Sequence, residues 1–171
     1  MGFFISRFDP AQKYAGFNQF DCQHHAINKF VKDSLKKQVK QGLSVAYALL
    51  EESGNAEPDR FAGFYTIASH SIPLSALSGL QLGSLPKTIP CIRLIMLGIH
   101  SSDTKKGLGS QLMNHALDVV KSSATRVGCF GLYLDADAGA VDFYKKLGFV
   151  LLDGDKSPSP SPMFITLSAI G

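Results

Sequence analysis

"LIMLGIHSSDTKKGLGSQLMNHALDVV", Leu94 to Val120, reads as a strand, a polar turn, two glycines flanking a leucine, and an amphipathic run. The apolar stretch "CIRLIMLGIH" lacks clean alternation, as expected of a central strand buried on both faces. Leu112, Ala116 and Val119 or Val120 recur at helical spacing, which predicts a helix from Leu108 to about Lys121. A strand that passes through a glycine turn into a helix start gathers unpaired backbone N–H groups at one point, reinforced by the helix dipole. Such a point binds an anion, typically a phosphate. Gly107 and Gly109 allow close backbone approach and conformations closed to other residues, while Lys105 and Lys106 add positive charge. The stretch lacks the GxxxxGK(S/T) of a Walker loop and the GxGxxG of a dinucleotide fold. On this segment alone, a turn with purely structural glycines is an equal reading.

Toward the N-terminus, "GFFISRF" is a short opening strand. From His24 to Gln41, Ile27, Phe30, Val31, Leu35 and Val39 fall at helical spacing, with Lys29, Lys32, Lys36, Lys37 and Lys40 interleaved. This predicts one amphipathic helix with a lysine-rich outer side, closed by Gly42. "LSVAYALLEE" and "RFAGFYTIASHSI", joined by the polar turn "SGNAEPD", predict an antiparallel hairpin. Residues 73–90 read as a loop or a short irregular helix. Beyond the central helix, "VGCFGLYLDA" reads as a strand, "AGAVDFYKKL" as a short helix, and "GFVLLD" and "PMFITLSA" as strands. "DGDKSPSPSP" is a low-complexity connection, expected to be mobile and given no catalytic role.

With 171 residues, 45% of them hydrophobic, the chain is long enough for one core, and neither a repeat nor a linker divides it. A single domain spanning 1–171 is therefore expected. No apolar stretch is long enough to cross a bilayer and "MGFFISRF" lacks the features of a secretory signal, so a cytoplasmic protein is expected. Cys22, Cys91 and Cys129 are far apart and form no zinc pattern, which predicts reduced, buried thiols. No histidine spacing suggests a metal site. The formal net charge of +3 points to no particular partner unless the charge is clustered.

The order of "TKKGLG" and then Asp137, Ala140, Phe143, Tyr144, Gly148 and Phe149 resembles the GNAT superfamily of acetyl-CoA-dependent N-acetyltransferases. The first motif matches that family's phosphate loop, (Q/R)xxGx(G/A), with Thr104 at its first position. The second matches NxxAxxFYxxxGF with Asp for Asn. "FNQFDCQHHAINKFVKDSLKKQ", Gly63-Phe64-Tyr65 and "PKTIPCIRLIMLGI" extend the similarity to the acetyltransferase toxins of bacterial toxin–antitoxin pairs, from about Phe17 to Leu167. Met96 stands where those toxins usually carry Arg.

The resemblance implies a mixed α/β fold, with a splayed antiparallel and parallel sheet flanked by helices. It implies that the pantetheine arm of acetyl-CoA pairs with the backbone of Leu97, Gly98 and Ile99, much as an added strand would. A bulge near Gly98 would aim an N–H at the developing oxyanion. Lys105, Lys106, Gly107, Leu108, Gly109 and Ser110 would take the pyrophosphate, with Asp137 and Phe143 also at the cofactor site. Tyr144 would be the general acid toward the coenzyme A thiolate; its alternative role is packing with Phe143 and Phe149. His100 is expected to be structural or solvent-facing, and no general base is identifiable.

The toxin branch further implies transfer to the α-amine of an aminoacyl-tRNA, a cognate ribbon-helix-helix antitoxin, and a homodimer. Lys29, Lys32, Lys36, Lys37 and Lys40 supply a physical reason for RNA binding, because a positive helix side can track phosphates. A solvated helix face is the plainer reading of the same charges. Acetylation of a small amine or a protein N-terminus, and a catalytically inactive acetyl-CoA-binding module, are the alternatives.

Overall fold

The computed structural model describes residues 2–54, 56–152 and 160–171. In chain order the strands and α-helices are β1 (Phe3–Arg7), α1 (His25–Asp33), α2 (Leu35–Lys40), β2 (Val45–Glu51), β3 (Arg60–Pro73), β4 (Thr88–Ile99), α3 (Leu108–Ser123), β5 (Gly131–Ala136), α4 (Val141–Lys146), β6 (Val150–Leu151) and β7 (Ser161–Thr166). The strands form a mixed seven-stranded sheet in the order β1-β2-β3-β4-β5-β7-β6. Contacts group the chain into two compact units, Met1–Ala68 with Met96–Ala116, and Ser69–Ile95 with Leu117–Gly171.

In the first unit, β1 and β2 run antiparallel with Phe3 opposite Glu51, and β2 and β3 form the expected hairpin with Val45 opposite Ile67. Between Leu49 and Leu50 the register shifts from Gly63 to Phe61, so β3 carries Ala62 as an extra, bulged residue. Phe30, Val31 and Leu35 bury the apolar stripe of the helical segment against Phe8, Phe61 and Phe64. The segment is two helices where its periodicity predicts one. Ser34, a weaker helix former than its neighbours, departs to φ −127° and ψ −30°. The hydrogen bonds from Ser34 N–H to Phe30 O and from Gln38 N–H to Ser34 O carry the chain across the break. The apolar stripe survives, and Leu35 is completely buried.

In the second unit, β5 and β7 are antiparallel from Gly131 opposite Thr166 to Ala136 opposite Ser161, and β6 adds a short edge. β4 and β5 run parallel, paired at Ile92 with Leu132 and Arg93 with Tyr133. The core holds Ile72, Leu77, Ile89, Cys91, Leu152 and Phe164. Residues 73–90 include a 3-10 turn at Leu74–Leu77, and Leu74, Leu80 and Leu82 pack onto this core. β4 differs from a strand buried on both faces: Ile92, Ile95, Leu97 and Ile99 are only half-buried, because its parallel ladder with β5 is two pairs long among the described residues. β5 begins at Gly131, leaving Val127 exposed, and β6 keeps only two residues of its expected strand. Most of "DGDKSPSPSP" lies outside the described residues.

Candidate active site

The glycine loop is held from beneath by a buried carboxylate. After β4, Ser101–Asp103 makes a 3-10 turn that turns the Asp103 side chain inward, where it is 3% exposed. Arg60 Nη2 donates to both Asp103 oxygens at 2.9 Å, and Arg60 Nε donates to Glu51 at 2.9 Å. Lys106 Nζ reaches back to Asp103 Oδ1 at 3.2 Å and lies 5.4 Å from the centroid of the Phe3 ring. Burial alone would raise the Asp103 pKa, but the hydrogen bonds and charges of Arg60 and Lys106 outweigh it and hold the carboxyl below its usual range.

Above this anchor the backbone takes left-handed conformations at Lys105 (φ 64°) and Gly107 (φ 74°). The first is unusual for a residue with a side chain and marks a conformation imposed by its surroundings. A Cβ on Gly107 would meet nothing within 4 Å, so the loop backbone is open to approach ahead of the N-terminus of α3. That surface fits a pyrophosphate cradle, since the leading N–H groups of a helix lack intrahelical partners. Leu108, Leu112 and Met113 are buried and fix the helix behind it. Gly109 differs from expectation in conformation: α3 begins at Leu108, so Gly109 is a helical residue with no left-handed requirement.

In the same unit, the end of β4 is pressed between neighbours. A Cβ on Gly63 would stand 2.8 Å from the carbonyl oxygen of Gly98, and one on Gly98 would lie 3.1 Å from Ile27 and 3.5 Å from Cys22 Sγ. Met96 N–H donates to the Thr66 hydroxyl at 3.2 Å, just before Leu97. Met96 itself packs against the α1 cluster. The turn over Gly98 is tied at several points. Asn28 Oδ1 accepts from Cys22 N–H at 2.9 Å, Asn28 Nδ2 donates to Asp21, and Asp21 N–H donates to His100 Nδ1 at 3.1 Å. Ser101 N–H donates to Asp21 O at 2.8 Å. His100 thus has a structural task, as expected.

In the second unit, Asp137 follows β5 and caps a 3-10 turn into α4, on which Phe143 and Tyr144 sit. Tyr144 is 8% exposed and meets Phe143 and Phe149 edge-on, at centroid distances of 5.1 Å and 5.6 Å. Burial, with the charge of Asp137 adding to it, pushes its phenol up to about 12. The side chain is therefore a protonated donor throughout the neutral range.

All five helix lysines are exposed. Two have local partners: Lys29 Nζ lies 2.9 Å from Asp33, and Lys36 Nζ sits 4.7 Å from the centroid of Phe17. Among the cysteines, Cys91 is buried and its thiol is pushed up to about 12 by burial and the nearby Cys129; Cys22 and Cys129 are only half-buried. Among the described residues, no group of His, Cys, Asp or Glu could hold a metal.

The first unit thus holds Leu97–Ile99 and Lys105–Ser110, and the second holds Asp137, Phe143 and Tyr144. Sequence reasoning missed Asp103 and Arg60, which lie 43 residues apart and form no local pattern. Tyr65, of the Gly63-Phe64-Tyr65 stretch, is a core residue: it is completely buried, its hydroxyl is 2.7 Å from His115 Nδ1 and its ring stacks on Tyr47.

The acetyltransferase (GNAT) domain family matches residues 76–151. Among solved structures, a bacterial toxin is 32% identical with a TM-score of 0.90, covering 98% of this chain and 92% of that one. The toxin AtaT complexed with acetyl-methionyl-tRNAfMet is 29% identical with a TM-score of 0.86, covering 99% and 97%. A tyrosine-to-phenylalanine mutant of AtaT bound to the C-terminus of the antitoxin AtaR and acetyl-CoA is 28% identical with a TM-score of 0.80, covering 98% and 95%. The chain belongs to the GNAT acetyltransferases, in their bacterial toxin branch.

Proposed function

We propose that this protein transfers the acetyl group of acetyl-CoA to the α-amine of an aminoacyl-tRNA and so stops translation. The observation that carries this reading is the end-to-end match to a toxin complexed with an acetylated aminoacyl-tRNA. The loop geometry and the buried, protonated Tyr144 support the same chemistry.

Acetyl-CoA supplies the activated thioester; the chain's own residues hold it and manage one proton. Backbone N–H groups at Lys105–Ser110 take the pyrophosphate, with Gly107 leaving the backbone open to it and Asp103 fixing the loop's base. The backbone of Leu97, Gly98 and Ile99 aligns the pantetheine arm. Tyr144 protonates the departing thiolate, a task for which a phenol that stays neutral at physiological pH is suited. The attacking amine loses its proton to solvent, because the α-amine of an ester is acidic enough to need no dedicated base. Lys29, Lys32, Lys36, Lys37 and Lys40 attract the RNA phosphates. The whole chain acts as one catalytic domain in the cytoplasm, where charged tRNA resides.

A related toxin binds the C-terminus of its antitoxin. We extend this to a cognate antitoxin of ribbon-helix-helix type for the present chain, and to a homodimeric toxin. A cell-free translation reaction tests the function. Added protein should halt synthesis only when acetyl-CoA is present, and continued synthesis would reject the toxin reading.

A further inference from the structure

Among the described residues the ladder between β4 and β5 covers Ile92 and Arg93, so Leu97–Ile99 lie beyond it. The chain just after them is fastened instead by the turn that precedes α1. Asp21 N–H donates to His100 Nδ1 at 3.1 Å, and Ser101 N–H donates to Asp21 O at 2.8 Å, so one turn residue holds the chain at both His100 and Ser101. From β3, Ala62 O accepts from His100 N–H at 2.8 Å.

The turn does not keep its shape unaided. Gln23 is left-handed at φ 63°, a conformation that a residue with a side chain keeps only where its surroundings impose it. One side chain of α1 supplies much of that constraint. Asn28 Oδ1 accepts from Cys22 N–H at 2.9 Å and from the Cys22 thiol at 3.2 Å, while Asn28 Nδ2 donates to Asp21 Oδ1 at 2.9 Å. Asp21 Oδ1 also accepts from Gln23 N–H at 2.8 Å, which closes the turn. The bonds from Gln23 N–H and from Asn28 hold the Asp21 carboxyl below its usual range. Both of the Asn28 partners precede α1, so its amide serves the turn and not the helix. The adjacent Ile27 packs on the strand itself, 3.1 Å from a Cβ placed on Gly98.

Building on the function proposed above, in which acetyl-CoA lies along Leu97–Ile99, we propose that Asn28 is a positioning residue for acetyl transfer. Acting through Asp21, it fixes the end of β4 and so keeps a backbone N–H of Leu97–Ile99 in place for the developing oxyanion. Such a donor must come within about 2.7 to 3.1 Å of the oxygen, so a strand end free to shift loses the transition state first. The cofactor itself stays bound, because the glycine loop has a separate anchor in Asp103 and Arg60. The link thus acts on the chemical step and not on the binding of acetyl-CoA.

Asn28→Ala, Asp21→Ala and Asp21→Asn test this against wild type. Labelled acetyl-CoA and a pool of charged tRNAs give kcat and KM, calorimetry gives acetyl-CoA affinity, and hydrogen exchange of residues 96–101 reports the strand end. Asn28→Ala and Asp21→Ala should each lower kcat roughly tenfold or more and keep acetyl-CoA affinity within about twofold. Each should also speed exchange of residues 96–101 by about tenfold. Combining the two should add little, since either alone breaks the same link. Asp21→Asn keeps Oδ1 as an acceptor and should restore kcat to near the wild-type value. Asp21 is exposed, so its variants probe the link even where removal of Asn28 costs the fold. An unchanged kcat or unchanged exchange in Asp21→Ala overturns the proposal, and so does a loss confined to thermal stability or to acetyl-CoA affinity. Wild-type protein that binds acetyl-CoA yet transfers nothing to charged tRNA rejects the function proposed above, and the exchange of residues 96–101 then decides the link by itself.

Discussion

Arg60 places one guanidinium nitrogen 2.9 Å from each carboxylate oxygen of Asp103, tying the base of the glycine loop to the hairpin strand β3. Asp103 is almost fully buried and would be a costly charge without that partner. Asp103→Asn should therefore lower stability at neutral pH by on the order of 2 kcal/mol. The folded-state pKa lies below the ordinary 3.8, so this stabilisation is present above pH 3.8 and is lost as pH falls through the lower value. Thermal melts of wild type and variant should differ at pH 7 and converge in strong acid. A difference that persists below the folded-state pKa would assign the effect to packing.

Tyr144→Phe should keep acetyl-CoA binding while lowering kcat on the order of 10²-fold, because the ring still packs on Phe143 and Phe149 while the proton donor is gone. With its phenol pushed up to about 12, Tyr144 should impose no loss of rate between pH 7 and 10. The same shift stabilises the fold below pH 10, and that contribution disappears as pH climbs toward 12. An alkaline limb in kcat near pH 8, present in wild type and absent from the Phe variant, would contradict a buried neutral donor.

Gly107→Val should prevent acetyl-CoA binding, because a β-branched residue disfavours φ 74° and its side chain would project into the open space the pyrophosphate would use. Gly109 lies in α3, so Gly109→Val has no left-handed penalty and must act, if at all, by obstructing the phosphate. Lys105→Gly relieves a left-handed lysine and should leave the loop conformation intact, with a stability change of up to about 1 kcal/mol. Calorimetric titration with acetyl-CoA separates the three. Normal binding by Gly107→Val would show that the pyrophosphate lies elsewhere.

Gly63→Ala tests the fit of the hairpin against β4. Its methyl would stand 2.8 Å from a backbone oxygen, which no side-chain rotation relieves, so overpacking should cost about 1 to 3 kcal/mol. Denaturant unfolding measures it, and an unchanged midpoint would mean that β4 shifts freely at Gly98.

The parts of this fold that were legible in the sequence are those carried by local periodicity. The Leu112 and Ala116 stripe located α3, and Phe30, Val31 and Leu35 located the buried side of the helical segment. The GFY strand and its hairpin partner were equally plain. The break at Ser34 was not, because the apolar spacing continues across it and only the backbone angles record the interruption. The helical conformation of Gly109 was not legible because two glycines two residues apart look alike in a string, whereas the helix begins between them. Asp103 gave no signal, since the meaning of that carboxylate depends on Arg60 from a distant strand. The limited burial of β4 was hidden because an apolar run does not reveal how much of a strand is paired on each side.

The central claim is that the acetyl group goes to an amino acid esterified to tRNA. Incubation with labelled acetyl-CoA and a mixed pool of charged tRNAs, followed by mild alkaline release and identification of the labelled amino acid, tests it most directly. The account predicts label on the α-amine of one or a few amino acids released from tRNA, and its loss with Tyr144→Phe. Label on free amino acids or small amines but not on charged tRNA, or no transfer by a protein that binds acetyl-CoA, would contradict it.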